Sequence, residues 1–382
     1  MNNYHKIIFL FFIISFISCN KSIETSDANI PIESININPL KSKKITVSSI
    51  FDSITYIPIG NKKDEPLLKE ITKLEIFKFH IYILDKQLNN LYIYDINGNF
   101  IKKIGNIGQG PGEFIKISDF AINAISNEVI ILDRTGRKIL IYNLNGDFKY
   151  TNKINIMAQQ LAVSNNQYIS YTSGSDYFTK SKNSLGYNLF ILNKDCSIQS
   201  KLFKYNKDLD NIINSKALDV NIDDNIVSFN YAIYDTIYLI KGGEIIKKIN
   251  IDFNKSKLPI NKINSENFKY YTNKTGYSRL SKVFYSHDYL FINYIYNNKI
   301  HFAIHRKNDK SLINSSFLEN DIDSTSFSLA MPLKISKNKL YFTKTAQEIL
   351  SNYNKESITI NKRTITEESN PIIIIGHLKW KQ

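Results

Sequence analysis

The eight residues IYDINGNF at positions 93–100 recur as IYNLNGDF at 141–148, which is 48 positions further along the chain. Two more steps of 48 reach the apolar stretches at 189–192 and 237–243, and a further copy near 302–305 is displaced by an insertion. A constant interval of this length is typical of repeat architectures, in which each repeat is one supersecondary unit. The chain is therefore predicted to be built from similar units of about 48 residues.

The second unit shows the internal organisation of a repeat. Short apolar strands are predicted at 119–122, 129–132 and 139–142, and polar turns separate them. The dipeptide Asn145-Gly146 is a strong hairpin signal and leads into a fourth strand that starts at Asp147. Four antiparallel strands within 40-odd residues are typical of a propeller blade, whereas solenoid repeats are shorter or contain helices.

Counting the units predicts an all-β fold, a six-bladed β-propeller of four-stranded antiparallel blades. The blades are placed at about 70–105, 115–155, 158–205, 215–252, 280–318 and from 326 onward. The apolar strand at 371–379 is predicted to pair with the early segment 53–59, so that the N- and C-terminal strands close the ring. Two segments, 261–272 and 345–353, break the pattern and are predicted to contain short inserted helices.

Composition agrees with one large all-β domain. The chain has 382 residues, of which 43% are hydrophobic, and it contains 24 Tyr and 23 Phe. Aromatic residues favour strands, and this apolar content is too high for a disordered protein. With only two Cys, the chain cannot be a disulfide-dense scaffold or carry a four-cysteine zinc site.

The first residues have the features of an export signal. Lys6 precedes an apolar run at 7–17 that is too short to span a bilayer, and the run ends at Ser18-Cys19. A small residue directly before a Cys at this point resembles the bacterial lipobox, which predicts that Cys19 is lipidated and anchors the protein to a membrane of the cell envelope. The alternative is an ordinary signal peptide with an incidental Cys.

The predicted domains are a lipoprotein signal peptide at 1–18, a flexible tether at 19–43 and the propeller at 44–382. The tether is predicted because the segment is polar and has no sustained period. If Cys19 is the mature terminus, Cys196 is the remaining thiol and cannot form an intramolecular disulfide. The membrane and the leaflet stay open.

Two further stretches carry a family resemblance. The sequence GQGPGEF at 108–114, followed by SDFAI at 118–122, resembles the hallmark of the six-bladed β-propeller lipoproteins of Bacteroidetes. The sequence ESNP at 368–371 and the strand after it are similar to the closing strand of that family. The resemblance covers about 44–379 and implies the propeller fold and a lipid anchor. Members of the family are largely uncharacterised, so the resemblance assigns no catalytic residue.

The glycine-rich stretch at 105–112 was also considered as a phosphate-binding loop. Such loops need a strand before and a helix directly after, but here Pro111 interrupts the run and a strand-like segment follows. A connection between blades is the favoured interpretation. If this loop faced the central channel, Gln109 and Glu113 would be the polar contacts for a ligand.

No residue pattern indicates a metal or a cofactor, and none is expected. His301 and His305 would share one strand face at ~13 Å, which is too far for one metal ion. Asp85, Asp95 and Asp133 follow strands, where aspartate hydrogen-bonds its own turn, although an acid/base pair among them is an alternative. The chain contains no Gly-x-Ser-x-Gly or His-Glu-x-x-His sequence.

The formal net charge is +14, from 49 Lys and Arg against 35 Asp and Glu. The lysines are scattered through turns, which favours dispersed solvation over a single polyanion site, and an exported protein is not expected to bind nucleic acid. The sequence is compatible with two functions. The favoured one is a membrane-anchored, monomeric binding or scaffold module with a protein or glycan partner, so a non-enzyme is favoured over an enzyme and the question stays open. The alternative is a hydrolase or lyase at the mouth of the central channel.

Overall fold

The structure is a computed structural model that describes residues 30–60, 64–173, 186–204, 217–230, 234–264, 266–323 and 332–379. Its main sheets are six antiparallel blades, and the first strand of each blade contacts the first strands of its two neighbours, so that the blades form a ring. The predicted six-bladed β-propeller is confirmed. The blade positions read from the 48-residue period agree with the observed strands to within a few residues.

The first three blades consist of four strands each. Their strands, in order, are Lys73–Phe77, His80–Asp85, Asn90–Asp95 and Phe100–Ile104 in blade 1; Ile117–Asn123, Glu128–Asp133, Lys138–Asn143 and Phe148–Lys153 in blade 2; and Gln160–Ser164, Gln167–Tyr171, Tyr187–Leu192 and Ile198–Lys204 in blade 3.

The other three blades also use strands from the N-terminal part of the chain. Their strands, from the ring axis outward, are Leu218–Asn221, Ile226–Asn230, Thr236–Lys241, Glu244–Asp252 and Ile32–Asn36 in blade 4; Ser278–Tyr285, Tyr289–Tyr296, Lys299–Arg306, Leu312–Glu319 and Lys43–Thr46 in blade 5; and Lys334–Ser336, Lys339–Lys344, Ile372–Leu378 and Phe51–Pro58 in blade 6.

The repeated hairpin has the same geometry in blades 1 and 2. Gly98 and Gly146 both adopt a positive φ, as the tight turn requires. After each turn the ring of Phe100 or Phe148 packs edge-on against Tyr94 or Tyr142, with 5.7 Å between the ring centroids in both blades. The sequence repeat is thus a repeat of turn and aromatic pair together.

The hydrophobic core lies between the blades. Six of the seven apolar clusters each join two adjacent blades. In the strand His80–Asp85, Ile81 and Ile83 pack toward blade 6, whereas Tyr82 and Leu84 pack toward blade 2. Successive residues of a strand point to opposite faces. Both faces of an inner strand are therefore buried, and its sequence is a continuous apolar run.

The predicted ring closure is confirmed. The strand Ile372–Leu378 pairs antiparallel with Phe51–Pro58, in a register that places Ile373 opposite Ile57. The same strand pairs on its other side with Lys339–Lys344. An N-terminal strand thus completes the last blade and gives the C-terminal strand a partner on both edges.

The predicted tether at 19–43 is wrong for the part that the structure describes. Ile32–Asn36 runs parallel to the outer strand of blade 4, and Lys43–Thr46 runs parallel to the outer strand of blade 5. The side chains of Ile35 and Ile37 are buried in the cluster between these blades. The ring therefore begins near Ile32 instead of residue 44. The signal peptide and the rest of the tether lie outside the described residues.

The two helix predictions are confirmed. One helix, Phe268–Asn273, lies in the connection between blades 4 and 5. The other, Ala346–Tyr353, is inserted in blade 6 and begins with a capping box formed by Thr345 and Glu348. Short 3-10 turns occur at Pro39–Lys41, Val47–Ser49, Asn254–Ser256 and Ile260–Lys262.

A hairpin that the sequence did not predict, Ser357–Ile360 with Arg363–Thr366, follows the second helix. The guanidinium of Arg363 donates hydrogen bonds to the backbone oxygens of Pro58, Gly60 and Gly98. Arg363 therefore fixes the hairpin over the junction of blades 6 and 1, where the ring closes.

The two ends of the ring differ. The turns between first and second strands and between third and fourth strands lie at one end, here called the lower face. The turns between second and third strands and the connections between blades lie at the other end, the upper face. The inserted helices and the long connections therefore belong to the upper face.

Candidate functional site: the axial cavity

Polar side chains converge where the six first strands meet around the ring axis. Each blade supplies one of them, and Glu75 of blade 1 adds a seventh. These residues, here called the axial cluster, are Lys73, Glu75, Asp119, Gln160, Asp219, Lys282 and Lys334. They interrupt strands that are otherwise apolar, so a specific set of contacts must compensate for the loss of water.

In the first three blades, an axial side chain reaches the next blade along the chain. The ammonium of Lys73 lies 2.9 Å from Oδ1 of Asp119 in blade 2. The other oxygen of Asp119 accepts a hydrogen bond of 2.9 Å from the backbone N–H of Leu161 in blade 3. Oε1 of Gln160 in turn accepts the backbone N–H groups of Ala217 and Leu218 before blade 4, both at 3.0 Å.

Lys334 completes the circuit. Its ammonium lies 2.9 Å from Oε2 of Glu75 in blade 1 and 3.5 Å from Oδ1 of Asp219 in blade 4. It also donates a hydrogen bond to the backbone oxygen of Val220. Lys282 of blade 5 donates to the backbone oxygen of Pro332, directly before blade 6. Side-chain links therefore join blades 1, 2, 3, 4 and 6 in a circuit, and Lys282 attaches blade 5 to this circuit.

Burial shifts the protonation equilibria of this cluster. Burial alone lowers the pKa of Lys334, but the carboxylates of Asp219 and Glu75 reverse this effect and raise that pKa above its ordinary value. Burial raises the pKa of Asp219 to about 6, although Lys334 acts in the opposite direction. Lys334 is therefore a permanent cation, whereas Asp219 titrates close to neutral pH.

A cavity of about 70 Å³ lies beside this cluster, and its lining contains eight polar or charged side chains besides apolar ones. Because Thr72 and Leu333 belong to blade connections and Lys86 to a turn between second and third strands, the cavity opens toward the upper face. At ~30 Å³ per water molecule it has room for about two waters or one small polar group. Its polar and charged lining residues are Thr72, Lys73, Glu75, Lys86, Asp119, Gln160, Asp219 and Lys282.

Lys86 differs from the other cations of the lining. Within the described part of the chain, its ammonium makes no hydrogen bond or ion pair. The residue is exposed at the mouth, but its surroundings desolvate the ammonium and lower its pKa; Asp119 opposes this shift and Lys73 adds to it. The axial cavity thus presents a cation that no carboxylate among the described residues neutralises directly.

The predicted ligand contacts Gln109 and Glu113 lie elsewhere. Their loop packs on blade 2, where the hydroxyl of Tyr142 donates to the backbone oxygen of Gly112. The carboxylate of Glu113 accepts the N–H of Gly110, and Gln109 is exposed. Neither residue lines the axial cavity. Their ligand role was predicted for a loop that faces the central channel, and this loop does not line the axial cavity. The ligand role itself stays a prediction.

The aspartates follow the predicted turn chemistry. Asp85 accepts the N–H of Leu88, Asp133 that of Gly136, and Asp95 those of Asn97 and Asn99. Asp85 and Asp133 also have a second contact that the sequence did not reveal. Each accepts a backbone N–H from the connection before the first strand of its own blade, at Lys69 and Ile115 respectively. These acids are therefore engaged in the structure of their blades.

His301 and His305 both lie in the third strand of blade 5. His301 and His305 are buried, and burial lowers the pKa of both. The ring of His301 stacks on Tyr294 and its Nδ1 lies 3.1 Å from Oγ of Ser42. Among the residues that the structure describes, no group of three or more His, Cys, Asp or Glu could hold a metal ion.

The lipidation prediction for Cys19 lies outside the described residues. Cys196 is a buried free thiol, and burial raises its pKa to about 12, which makes it unreactive near neutral pH. In the described portion of the chain, no helix has both the length and the apolar character that crossing a membrane requires.

The axial residues were not found from the sequence. Each is a single polar residue in a different blade, and together they form no contiguous motif. The available signal was a charged residue in an otherwise apolar first strand, as at Lys73, Asp119 and Lys334. A polar or charged residue of this kind occurs in the first strand of every blade, but the distances between these residues become meaningful only when the ring closes.

Comparison with solved structures agrees with this fold. A protein from Bacteroides fragilis NCTC 9343 that is classed as exported matches with a TM-score of 0.72 and 19% identity, over 91% of this chain and 100% of that one. A member of the DUF4221 family from Bacteroides vulgatus matches with a TM-score of 0.53 and 12% identity, over 87% of this chain and 98% of that one. At these identities the likeness shows the fold alone.

Comparison with curated proteins gives no match. The model of one family, described as a domain of unknown function, DUF4934, matches residues 32–377. The matched region begins at the start of Ile32–Asn36, the outer strand of blade 4, and ends within Ile372–Leu378 of blade 6. It therefore spans the whole ring. The chain therefore belongs to the DUF4934 family.

Proposed function

We propose that this protein is an extracytoplasmic, lipid-anchored binding module that presents the upper face of its propeller to a protein or glycan. The proposal rests on the ion pairs that the carboxylates of the axial cluster form. Asp119 and Glu75 are each paired with a lysine, and these pairs join neighbouring blades. A carboxylate that holds two blades together in this way is poorly placed to act as a nucleophile or base. The cluster thus forms the floor of a binding cavity.

The export signal and the export class of the similar Bacteroides fragilis protein support the location. Cys19 would carry the lipid. Since a chain spans at most ~3.6 Å per residue, the eleven residues 20–30 would hold blade 4 within ~40 Å of the membrane. Replacing Cys19 with Ala should release the protein from the membrane fraction. Retention of the variant in that fraction would refute the anchor.

The partner would meet a single ring with dispersed positive charge. Removal of the signal peptide takes Lys6 away and leaves a formal charge of +13 on the mature chain. The lysines of the turns favour an acidic partner through long-range attraction, without specifying its structure. A monomeric module is expected, and sedimentation of the purified protein would measure its mass directly.

One observation favours the alternative, a hydrolase or lyase at the axial cavity. Asp219 lines the cavity, its pKa is raised to about 6, and its Oδ2 is buried without a hydrogen bond in the structure. A carboxyl group that titrates near neutral pH in a cleft is a candidate general acid or base.

A turnover assay separates the two functions. Wild-type protein and the variant Asp219→Asn would be incubated with a panel of esters, lactones and glycans. Turnover that is lost in the variant would contradict the binding module. The proposal predicts the same background rate for both proteins.

A further inference from the structure

We infer that the axial cavity binds one carboxylate group of the ligand and that Lys86 is its cationic contact. This inference rests on the proposed binding function and names the chemistry that the site would recognise. It is carried by the charge balance of the cavity, by its size and by the position of Lys86 at its mouth.

The charges around the cavity do not cancel. The lining contains three carboxylates and three lysines, and the fully buried Lys334 adds a fourth lysine directly behind it. Lys73 pairs with Asp119, and Lys334 lies between Glu75 and Asp219. With all acids ionised, four lysines against three carboxylates leave one positive charge. A single negative charge on the ligand would neutralise the site.

The geometry allows Lys86 to supply this charge. Its backbone N–H donates to Oγ1 of Thr72, which fixes the turn that carries it beside the first strand of blade 1. Its ammonium has no partner in the described residues and is desolvated by its surroundings. A partly desolvated ammonium gains from a negatively charged hydrogen-bond acceptor because such bonds are roughly twice as strong as neutral ones.

A second cation of the cavity lining, Lys282 of blade 5, is held in place by two contacts. The ammonium of Lys282 donates to the backbone oxygen of Pro332 and lies 4.1 Å from the centroid of the Phe284 ring. These two contacts orient a second cation toward the same space, where it adds to the local positive potential. An anion in the cavity would therefore lie near two lysines of the lining, Lys86 and Lys282.

The net charge and the volume favour a carboxylate over a phosphate. A cavity of about 70 Å³ accepts a planar group of the size of acetate. Inorganic phosphate at pH 7.5 is a mixture of monoanion and dianion in which the dianion is in excess. Its second charge would meet Glu75, Asp119 and Asp219 without a matching cation. We therefore expect acetate to bind more tightly than inorganic phosphate at this pH.

The test is an NMR titration of the full-length protein with acetate in low-chloride buffer at pH 7.5. Acetamide, which has nearly the same shape without the charge, and inorganic phosphate are the comparison ligands. The inference expects saturable shifts at the amides of Thr72, Lys73 and Lys86 with acetate, and weaker binding of the other two. Equal affinity for acetate and acetamide would overturn it.

Matched variants test the role of Lys86. Lys86→Met should weaken acetate binding by about tenfold or more, the loss expected for one charge-assisted hydrogen bond. Lys86→Arg should retain the affinity because it keeps the charge. Lys116→Met removes an exposed lysine from the same surroundings without changing the cavity lining, and should have little effect. An equal loss in Lys86→Met and Lys116→Met would show general attraction and would overturn the inference.

The outcome also separates this inference from the proposed function. A failure of acetate to bind overturns the carboxylate site and leaves the binding module standing. Turnover that depends on Asp219 overturns the binding module itself, whatever the affinity for acetate.

Discussion

The ammonium of Lys334 in blade 6 lies 2.9 Å from Oε2 of Glu75 in blade 1, in the interior of the ring. The two residues are far apart in sequence and belong to the two blades that meet where the ring closes. Closure therefore depends on a buried ion pair at the axis as well as on strand pairing at the outer edge. Removal of either charge should affect more than one blade.

Replacing Lys334 with Met should strongly destabilise the protein. The variant leaves Glu75 and Asp219 buried without their cation, and breaking a buried ion pair in this way costs about 3–5 kcal/mol. Urea unfolding would measure the loss of unfolding free energy. Lys355→Met, at an exposed position, is the control and should change this free energy by less than ~0.5 kcal/mol. Similar values for both variants would contradict the structural role of the ion pair.

The N-terminal strand offers a matched pair of substitutions. Ile37 is fully buried between blades 4 and 5, whereas Ile32 in the same segment is 62% exposed. Ile37→Ala should lower the unfolding free energy by about 2–5 kcal/mol, and Ile32→Ala should lower it by less than ~1 kcal/mol. Thermal or urea unfolding measures both. A flexible tether would give two small and equal effects, and that result would contradict the outer-strand assignment.

The repeat-related glycines Gly98 and Gly146 should respond differently to Ala. Both have a positive φ, so both substitutions strain the turn. At Gly98 an added Cβ would also lie 2.3 Å from the backbone oxygen of Pro58, at the end of the strand Phe51–Pro58. At Gly146 the nearest atom is a side-chain carbon of Ile104 at 3.1 Å. Gly98→Ala should therefore have the lower melting temperature, and the opposite order would contradict the close approach.

Asp235 should make stability depend on pH. It is buried, both carboxylate oxygens lack a hydrogen bond to any residue that the structure describes, and burial raises its pKa to about 7, although Lys257 opposes the shift. The folded pKa thus exceeds the unfolded value of about 3.9. The folded state consequently binds the proton more tightly, and this contribution to stability is complete below about pH 4 and is lost as pH rises to about 7.

The neutral variant Asp235→Asn would avoid that loss. It should be more stable than the wild type at pH 8 by about 2–4 kcal/mol, and the difference should vanish near pH 4. Urea unfolding at the two pH values measures this effect. Asp52→Asn, at an exposed position, is the control. A variant that is less stable than the wild type at pH 8 would show that Asp235 has a favourable partner when it is ionised.

The sequence predicts the propeller ring because the period, the Asn145-Gly146 turn and the apolar runs are local signals. It was not sufficient for Ile32–Asn36, since a short polar segment has no period and its pairing with blade 4 is a tertiary contact. It also missed the axial cavity. Lys73 and Asp219 lie about 150 positions apart in the chain, and only closure of the ring brings them to one lining.

Side-chain links at the axis join the blades into a floor beneath the binding cavity. Amide hydrogen exchange in the wild type and in Lys334→Met is the sharpest test of these links, because exchange reports local opening of individual strands. The variant should lose protection in the first strands of blades 1 and 4, which Lys334 contacts, as well as in Lys334–Ser336. A loss confined to blade 6 would contradict this role of Lys334.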